Sequence, residues 1–214
     1  MKEQSLSLIH KSYLLAFTLL TSIFLLSCDS EKKISEEEIF VKRISEPENA
    51  LEFLNSKLPV PVEYAVTGYF QNVDSLQICG VKEIISSKEW GIKFSLYNFT
   101  ADTATLVYET PLLDGAVKEK NIKTIKIDSL GVQLLSYSSG DYFLGSGGGE
   151  VYFYLTDFSK QTIYYAHLIL LRNKPVSLFL SPNIEDPAIK DYIINLFKTD
   201  YEDLVVVTKD IQLK

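Results

Sequence analysis

Two cysteines and two histidines are the groups in this 214-residue chain best suited to nucleophilic, redox or metal chemistry, and their spacing keeps them apart. Cys28 closes an uncharged apolar run, whereas Cys79 stands between Ile78 and Gly80 in a strand-like stretch. A thiol becomes a nucleophile when a cation, a metal or a helix start lowers its pKa. Cys79 has no such neighbour in sequence and reads as a small buried hydrophobe. His10 belongs to the N-terminal apolar segment, which leaves His167 alone inside Ile163-Tyr164-Tyr165-Ala166-His167-Leu168-Ile169. A base or metal ligand needs partners at defined spacing, so a lone strand imidazole is more often a packed or rim residue. H-x-x-x-H, C-x-x-C, G-x-S-x-G and G-x-x-x-x-G-K-[ST] patterns are absent, and no cofactor or metal is expected.

Carboxylates are plentiful but unpatterned. Asp141, Glu150 and Asp157 flank the run Gly145-Ser146-Gly147-Gly148-Gly149 and could meet in space, or could be solvated strand ends. Asp114, Asp128 and Asp141 lack the D-x-D-x-D-G spacing of a calcium loop. The glycine run has no lysine to complete a phosphate cradle, so a hairpin loop is the preferred reading, too flexible itself to be strand. Tyr137, Tyr142, Phe143, Tyr152, Tyr154, Tyr164 and Tyr165 gather on either side of it. Aromatic faces with polar tips suit glycan, peptide or protein contacts, although tyrosine also simply covers half-buried sheets. Tyr142 and Tyr152, with Gly147, Gly148 and Gly149 between them, form the candidate partner-binding segment.

Lys2 and Lys11 give the chain a positive start, and the 14 residues from Tyr13 to Leu26 carry no charge. That is the length of a secretory h-region, whereas a membrane-spanning helix needs roughly 20 residues. The run ends in Leu25-Leu26-Ser27-Cys28, which resembles the lipobox of bacterial lipoproteins. The resemblance implies cleavage before Cys28, diacylglycerol on its thiol and acylation of the new amino group. It covers residues 1–28 only. Each buried CH₂ of an acyl chain contributes about 0.8 kcal/mol, so two or three chains hold where one would not. With Cys28 acylated, Cys79 is the one remaining thiol and no intramolecular disulfide can form. Asp29-Ser30-Glu31 loosely resembles the acidic surface-export signal of the Bacteroidota, from which Lys32-Lys33 departs. The resemblance implies a lipid-anchored protein of the cell envelope, the outer membrane being favoured over the inner without either being fixed, with its domain expected in the periplasm or on the cell surface.

A second resemblance concerns Asp74-Ser75-Leu76, Asp102-Thr103-Ala104 and Asp128-Ser129-Leu130. These match the Asp, Ser/Thr, aliphatic tripeptide of O-glycosylation in the Bacteroidota, making Ser75, Thr103 and Ser129 candidate acceptors. Each falls on a turn signal, as an acceptor requires, although Asp-Ser is also a common turn dipeptide.

The composition, 46% hydrophobic and 12% aromatic with net charge −7, is that of a globular chain of one domain. Loss of residues 1–27 removes two lysines and one glutamate and leaves −8. Such acidity, without a Lys/Arg cluster, argues against nucleic acid and against electrostatic adhesion to anionic lipid.

The expected organisation is a cleaved signal peptide over 1–27, a lipidated, flexible acidic tether over 28–45 and one globular domain over 46–214. Ser45 and Glu48 form an S-x-x-E capping pattern ahead of Ala50, Leu51, Leu54 and Leu58 at helical spacing, stopped by Pro59 and Pro61. Periodicity then changes to two, giving strands over 62–70, 76–85, 90–99, 103–109, 122–128, 131–138, 150–156, 162–172 and 175–180. Short turns between them predict antiparallel pairing. A second helix follows, with Asp186 as cap, Pro187 in the first turn, and Ile189, Ile193, Leu196 and Phe197 along its buried stripe. Leu204 to Val207 reads as a last, buried strand. The fold class is α+β, a β-rich, mainly antiparallel sheet with an N-terminal and a C-terminal helix. The alternative is an immunoglobulin-like β-sandwich with an added helix, which FSLYNFTADTATLVYE (94–109) resembles.

Two function classes follow. One is a lipid-anchored envelope protein that binds an envelope protein, a peptide or a glycan without catalysis. The other is a hydrolase-type envelope enzyme with a site assembled from distant strands, and a carboxylate or tyrosine beside His167 in a concave pocket would favour it. Cys28→Ser is expected to abolish radiolabelled fatty-acid incorporation and processing; full labelling of that variant would remove the anchor assignment.

Overall fold

A computed structural model of the chain describes residues 35–143 and 147–208, without the side chains of 141–143 and 208. Leu25 to Cys28 lie outside the described residues.

The domain is α+β and β-rich, in four layers. Helices α1 (Glu36–Ile44) and α2 (Pro47–Lys57) lie on a four-stranded antiparallel meander of β1 (Tyr64–Gly68), β2 (Gln77–Ile85), β3 (Trp90–Phe99) and β4 (Ala104–Glu109). A six-stranded sheet packs on the other side of that meander. It comprises β5 (Ile122–Lys126), β6 (Gln133–Phe143), β7 (Gly148–Asp157), β8 (Thr162–Leu170), β9 (Ser177–Leu180) and β10 (Val205–Thr208), in the order β10-β9-β8-β7-β6-β5. Helix α3 (Pro187–Lys198) covers its far face. Both sheets follow chain order, with no Greek-key crossing, so the immunoglobulin-like alternative does not form.

Alternation along each strand divides the core. On β2, Cys79 and Val81 point between the sheets with Phe94, Leu96, Tyr137, Tyr154 and Tyr165, whereas Ile78 packs under α2 with Ala50, Leu54 and Tyr97. Gly80 lets that helix approach, since a Cβ there would stand 3.2 Å from a Leu54 methyl and 3.1 Å from one of Val62. Local turn chemistry fixes the register. Asp157 Oδ1 accepts from the backbone N–H groups of Ser159 and Lys160, and Gln161 completes the β7–β8 turn at φ 51. Among the described residues, β9 and β10 alone pair in parallel, and a parallel pair needs a crossover, which α3 supplies.

Several expectations are corrected. The tether does not run to residue 45. Glu36–Ile44 is helical because Phe40 and Ile44, one turn apart, reach the helix-side core, where Ile44 is fully buried and Phe40 meets Phe53 and Phe99 edge-on at 5.6 and 5.9 Å. The Ser45–Glu48 capping box does not form; Ser45 Oγ donates back to the Lys42 carbonyl, and Glu46 takes the cap position. Gly148 and Gly149 are strand, paired with Phe143 and Tyr142. β10 is an edge strand with Val205 47% exposed rather than a buried one.

Helix α3 begins as expected, Asp186 accepting from the Ala188 N–H at 2.9 Å with Pro187 behind it. Ile189, Ile193 and Phe197 are buried, but Leu196 is 40% exposed. Ile193→Ala should cost about 2–4 kcal/mol through lost transfer energy and a residual cavity. Leu196→Ala should cost under about 1 kcal/mol. Urea unfolding of the two variants checks the difference; comparable losses would mean the helix is seated differently.

Candidate functional site

β7 and β8 bring together the polar cluster on the sheet face that looks toward β1–β4. Tyr152 and His167 are directly opposed in the β7–β8 ladder, and Glu150 lies two residues before Tyr152 on the same face. Tyr152 Oη donates to Glu150 Oε2 at 2.5 Å, and His167 Nε2 lies 2.9 Å from the same oxygen. The imidazole stacks on the Tyr152 ring, with centroids 4.5 Å apart and planes 12° from parallel. Tyr165 and Phe179 flank it at 6.4 and 6.3 Å. The His167 and Glu150 side chains keep 18% and 28% of their surface exposed, so the cluster is a half-buried rim. Tyr152 holds the Glu150 carboxyl below its usual range, burial opposes that shift, and His167 adds to it.

Nε2 serves as donor to the carboxylate, so the neutral ring presents Nδ1 as acceptor. The pair is thus a carboxylate-oriented imidazole able to take a proton at Nδ1. Among the described residues, its contacts are Glu150 and three aromatic rings; no serine, threonine or cysteine side chain hydrogen-bonds it.

Most of the expected aromatic surface is core. Tyr137, Tyr154 and Tyr165 are 1%, 2% and 7% exposed between the sheets, with successive ring centroids 6.1 and 5.2 Å apart. Tyr164 is buried on the opposite face, toward α3. Burial, the largest cause, pushes the hydroxyls of Tyr154 and Tyr165 far above the ordinary phenol range. Gly115, at φ 133, lets the 113–117 segment close over this stack, because a Cβ there would stand 1.9 Å from the Tyr137 hydroxyl. That hydroxyl donates to the Ala116 carbonyl at 3.0 Å.

The ladder does not bring positions 142 and 152 together. Position 142 pairs with Gly149, which is three residues from Tyr152, and an odd offset puts the two on opposite sheet faces. The Tyr142 side chain, like that of Asp141, lies outside the described residues. Gly147 takes φ 64 at the turn. Glu150 and Asp157 stand at opposite ends of β7, about 23 Å apart at strand rise, with Asp157 spent on capping its turn. Asp114 lies in the segment over the tyrosine stack and Asp128 opens a single 3₁₀ turn, so the two do not converge. Cys79 is fully buried, and burial pushes its thiol pKa well up, leaving an inert thiol. Ser75, Thr103 and Ser129 are all exposed in turns.

Two features had no signal in the local sequence reading. Glu150 meets His167 through ladder register across seventeen positions. Ile85 and Trp90 are direct partners at the tip of the β2–β3 hairpin, 74% and 53% exposed. The start of β2 and the end of β7 lie at one end of the sandwich, where Phe70 packs on Phe158 at 5.4 Å. The Ile85–Trp90 tip and the Glu150 cluster therefore emerge at the other.

No protein-family model, curated protein or solved structure matches the chain.

Because Glu150 is depressed in the folded state, it adds stability above the unfolded carboxyl pKa, near 4.5, and that contribution is lost as pH falls through the folded value. Tyr152→Phe removes the leading cause. The variant should lose less stability than the parent between pH 7 and pH 3 in urea titrations; identical pH slopes would show that the tyrosine does not set the carboxyl.

Proposed function

We propose that this chain is a lipid-anchored envelope protein whose β-sandwich is a non-catalytic binding module, meeting another envelope protein at the Ile85–Trp90 end. The lipobox Leu25-Leu26-Ser27-Cys28 supports the anchor. No helix among the described residues is long and apolar enough to cross a membrane, so attachment in this reading rests on acyl chains. With α1 starting at Glu36, only seven residues, Asp29 to Ser35, separate Cys28 from the first helix, a covalent leash of at most roughly 25 Å.

The observation that carries the binding role is the exposed Ile85–Trp90 pair. These are a β-branched aliphatic residue and the chain's single tryptophan, directly opposed on a hairpin that extends past the core. Tryptophan is enriched where protein interfaces concentrate their energy. A peptide or glycan at the Tyr152 rim would lie at the same end. The hydrolase alternative draws on the Glu150–His167 pair and requires turnover that depends on His167.

A photo-cross-linking residue at position 88, in the full lipidated protein in intact cells, should give a discrete adduct that Trp90→Ala and Ile85→Ala each reduce at unchanged melting temperature. Absence of any adduct, or one insensitive to both substitutions, would move the interface elsewhere.

A further inference from the structure

Helix α3 is about 10 Å across, while the sheet beneath it spans about 24 Å, so one helix cannot cover the whole face. Ile189, Ile193 and Phe197 seat it on the apolar part, with Phe197 meeting Phe153 edge-on at 5.9 Å. Beyond Phe197 the face runs on past Val151 to Ser136, Ser138 and Lys123, and between helix and sheet lies a groove of about 320 Å³. This is why Leu196 stays 40% exposed: it overhangs the groove instead of sealing the core.

The groove has an apolar floor and aromatic walls, and its far rim is polar and fixed. Val151, Phe153 and Leu168 form the floor, and Tyr192, Phe197 and Tyr201 line the helix side. On the sheet side, Ser136 Oγ donates to the Lys123 carbonyl at 3.1 Å and Asn121 Nδ2 to the Ser138 carbonyl at 2.9 Å. Lys120 and Lys123 line that same rim, and neither has a carboxylate within ion-pair distance among the described residues. Two unpaired lysines beside an aromatic slot are a local exception in a chain of net charge −7. Among the described residues Asp200, across the groove, is the single acid lining it.

We propose that this groove binds a small arylalkyl carboxylate, its ring between Phe153 and the helix-side aromatics and its acid group at Lys120 and Lys123. The volume falls at the lower end of small-ligand sites, which combine an apolar body with a few placed polar groups. An ammonium does not suit this rim, because it would face both lysines. The groove lies on the opposite face of the six-stranded sheet from Tyr152 and His167, so this site and the hairpin interface stand or fall separately.

The test uses the full lipidated protein in nanodiscs, with 4-phenylbutyrate, 4-phenylbutanol and 4-phenylbutylamine followed by saturation-transfer NMR against protein-free nanodiscs. The acid should bind saturably and about tenfold more tightly than the alcohol or the amine. Lys120→Gln with Lys123→Gln should weaken the acid about tenfold while leaving the alcohol and the melting temperature unchanged. Equal binding of all three probes, no saturable binding of the acid, or acid binding indifferent to the double substitution would each overturn the proposal.

Discussion

Both faces of the six-stranded sheet are buried, one against the β1–β4 meander and the other against α3, and this double burial governs most of what the chain does elsewhere. A sheet with one wet face alternates apolar and polar residues, but β7 and β8 cannot. Phe153, Tyr154 and Leu155, or Tyr164, Tyr165 and Ala166, are apolar or aromatic in succession, each neighbour serving a different core. Tyrosine suits the inter-sheet side because its hydroxyl can reach a backbone carbonyl at the rim, as Tyr137 reaches Ala116. The four-stranded sheet depends on the same packing, since Phe70, Phe94 and Tyr108 close on Phe158 and Tyr137. Where double burial ends, along the uncovered strip toward β5 and at the hairpin tips, polar clusters and exposed apolar side chains begin.

Much of the architecture was legible because the responsible signals are local. Nine strand segments and the C-terminal helix followed from period-two alternation, turn dipeptides and the Asp186-Pro187 start, all of which act over a few residues. Helix α1 was not, since of its apolar residues Ile39, Phe40, Val41 and Ile44 it is Phe40 and Ile44 that join the core, and Phe40 does so against Phe53 and Phe99 far along the chain. Leu196 sits on the apolar stripe by period, yet only the width of the sheet relative to the helix decides whether anything lies beneath it. The candidate site was less legible than the fold. Glu150, Tyr152 and His167 converge through ladder register, and a shift of one residue would have sent Tyr152 and His167 to opposite faces. The same parity separates position 142 from position 152, although both flank the glycine turn in sequence.

Charge is distributed with comparable economy. The chain is acidic overall, and Lys123 and Lys126 on β5, with Lys120 in the 3₁₀ turn just before it, break that charge at the edge of the six-stranded sheet. Lysines on an edge strand discourage pairing with another chain, which is sufficient reason for Lys126. Lys123 differs because it lines a concave space with an apolar floor, where the same ammonium also offers a site for an anion. At the opposite face, Glu150 receives two donors on one oxygen and so fixes both the Tyr152 hydroxyl and the His167 ring. A ring held in this way presents a fixed acceptor atom at Nδ1, an arrangement that serves a binding contact or a proton acceptor equally.

The proposed anchor and the proposed interface also require one another energetically. A stable protein–protein interface buries at least about 1,000 Å² in total, and two side chains at a hairpin tip supply a fraction of that. In free solution such a contact would be weak. Two partners confined to one bilayer surface meet at an effective concentration set by their tethers, which reaches the millimolar range for short ones. Were Cys28 acylated as proposed, the seven residues between it and α1 would fall in that regime, whereas the longer tether expected when residues 36–45 are taken as flexible would dilute the encounter. Under that proposal, folding Glu36–Ile44 onto the helix-side core would shorten the reach of the domain and raise the local concentration of the Ile85–Trp90 tip. A small exposed hydrophobic pair can then act as an interface without being a liability on a freely diffusing protein.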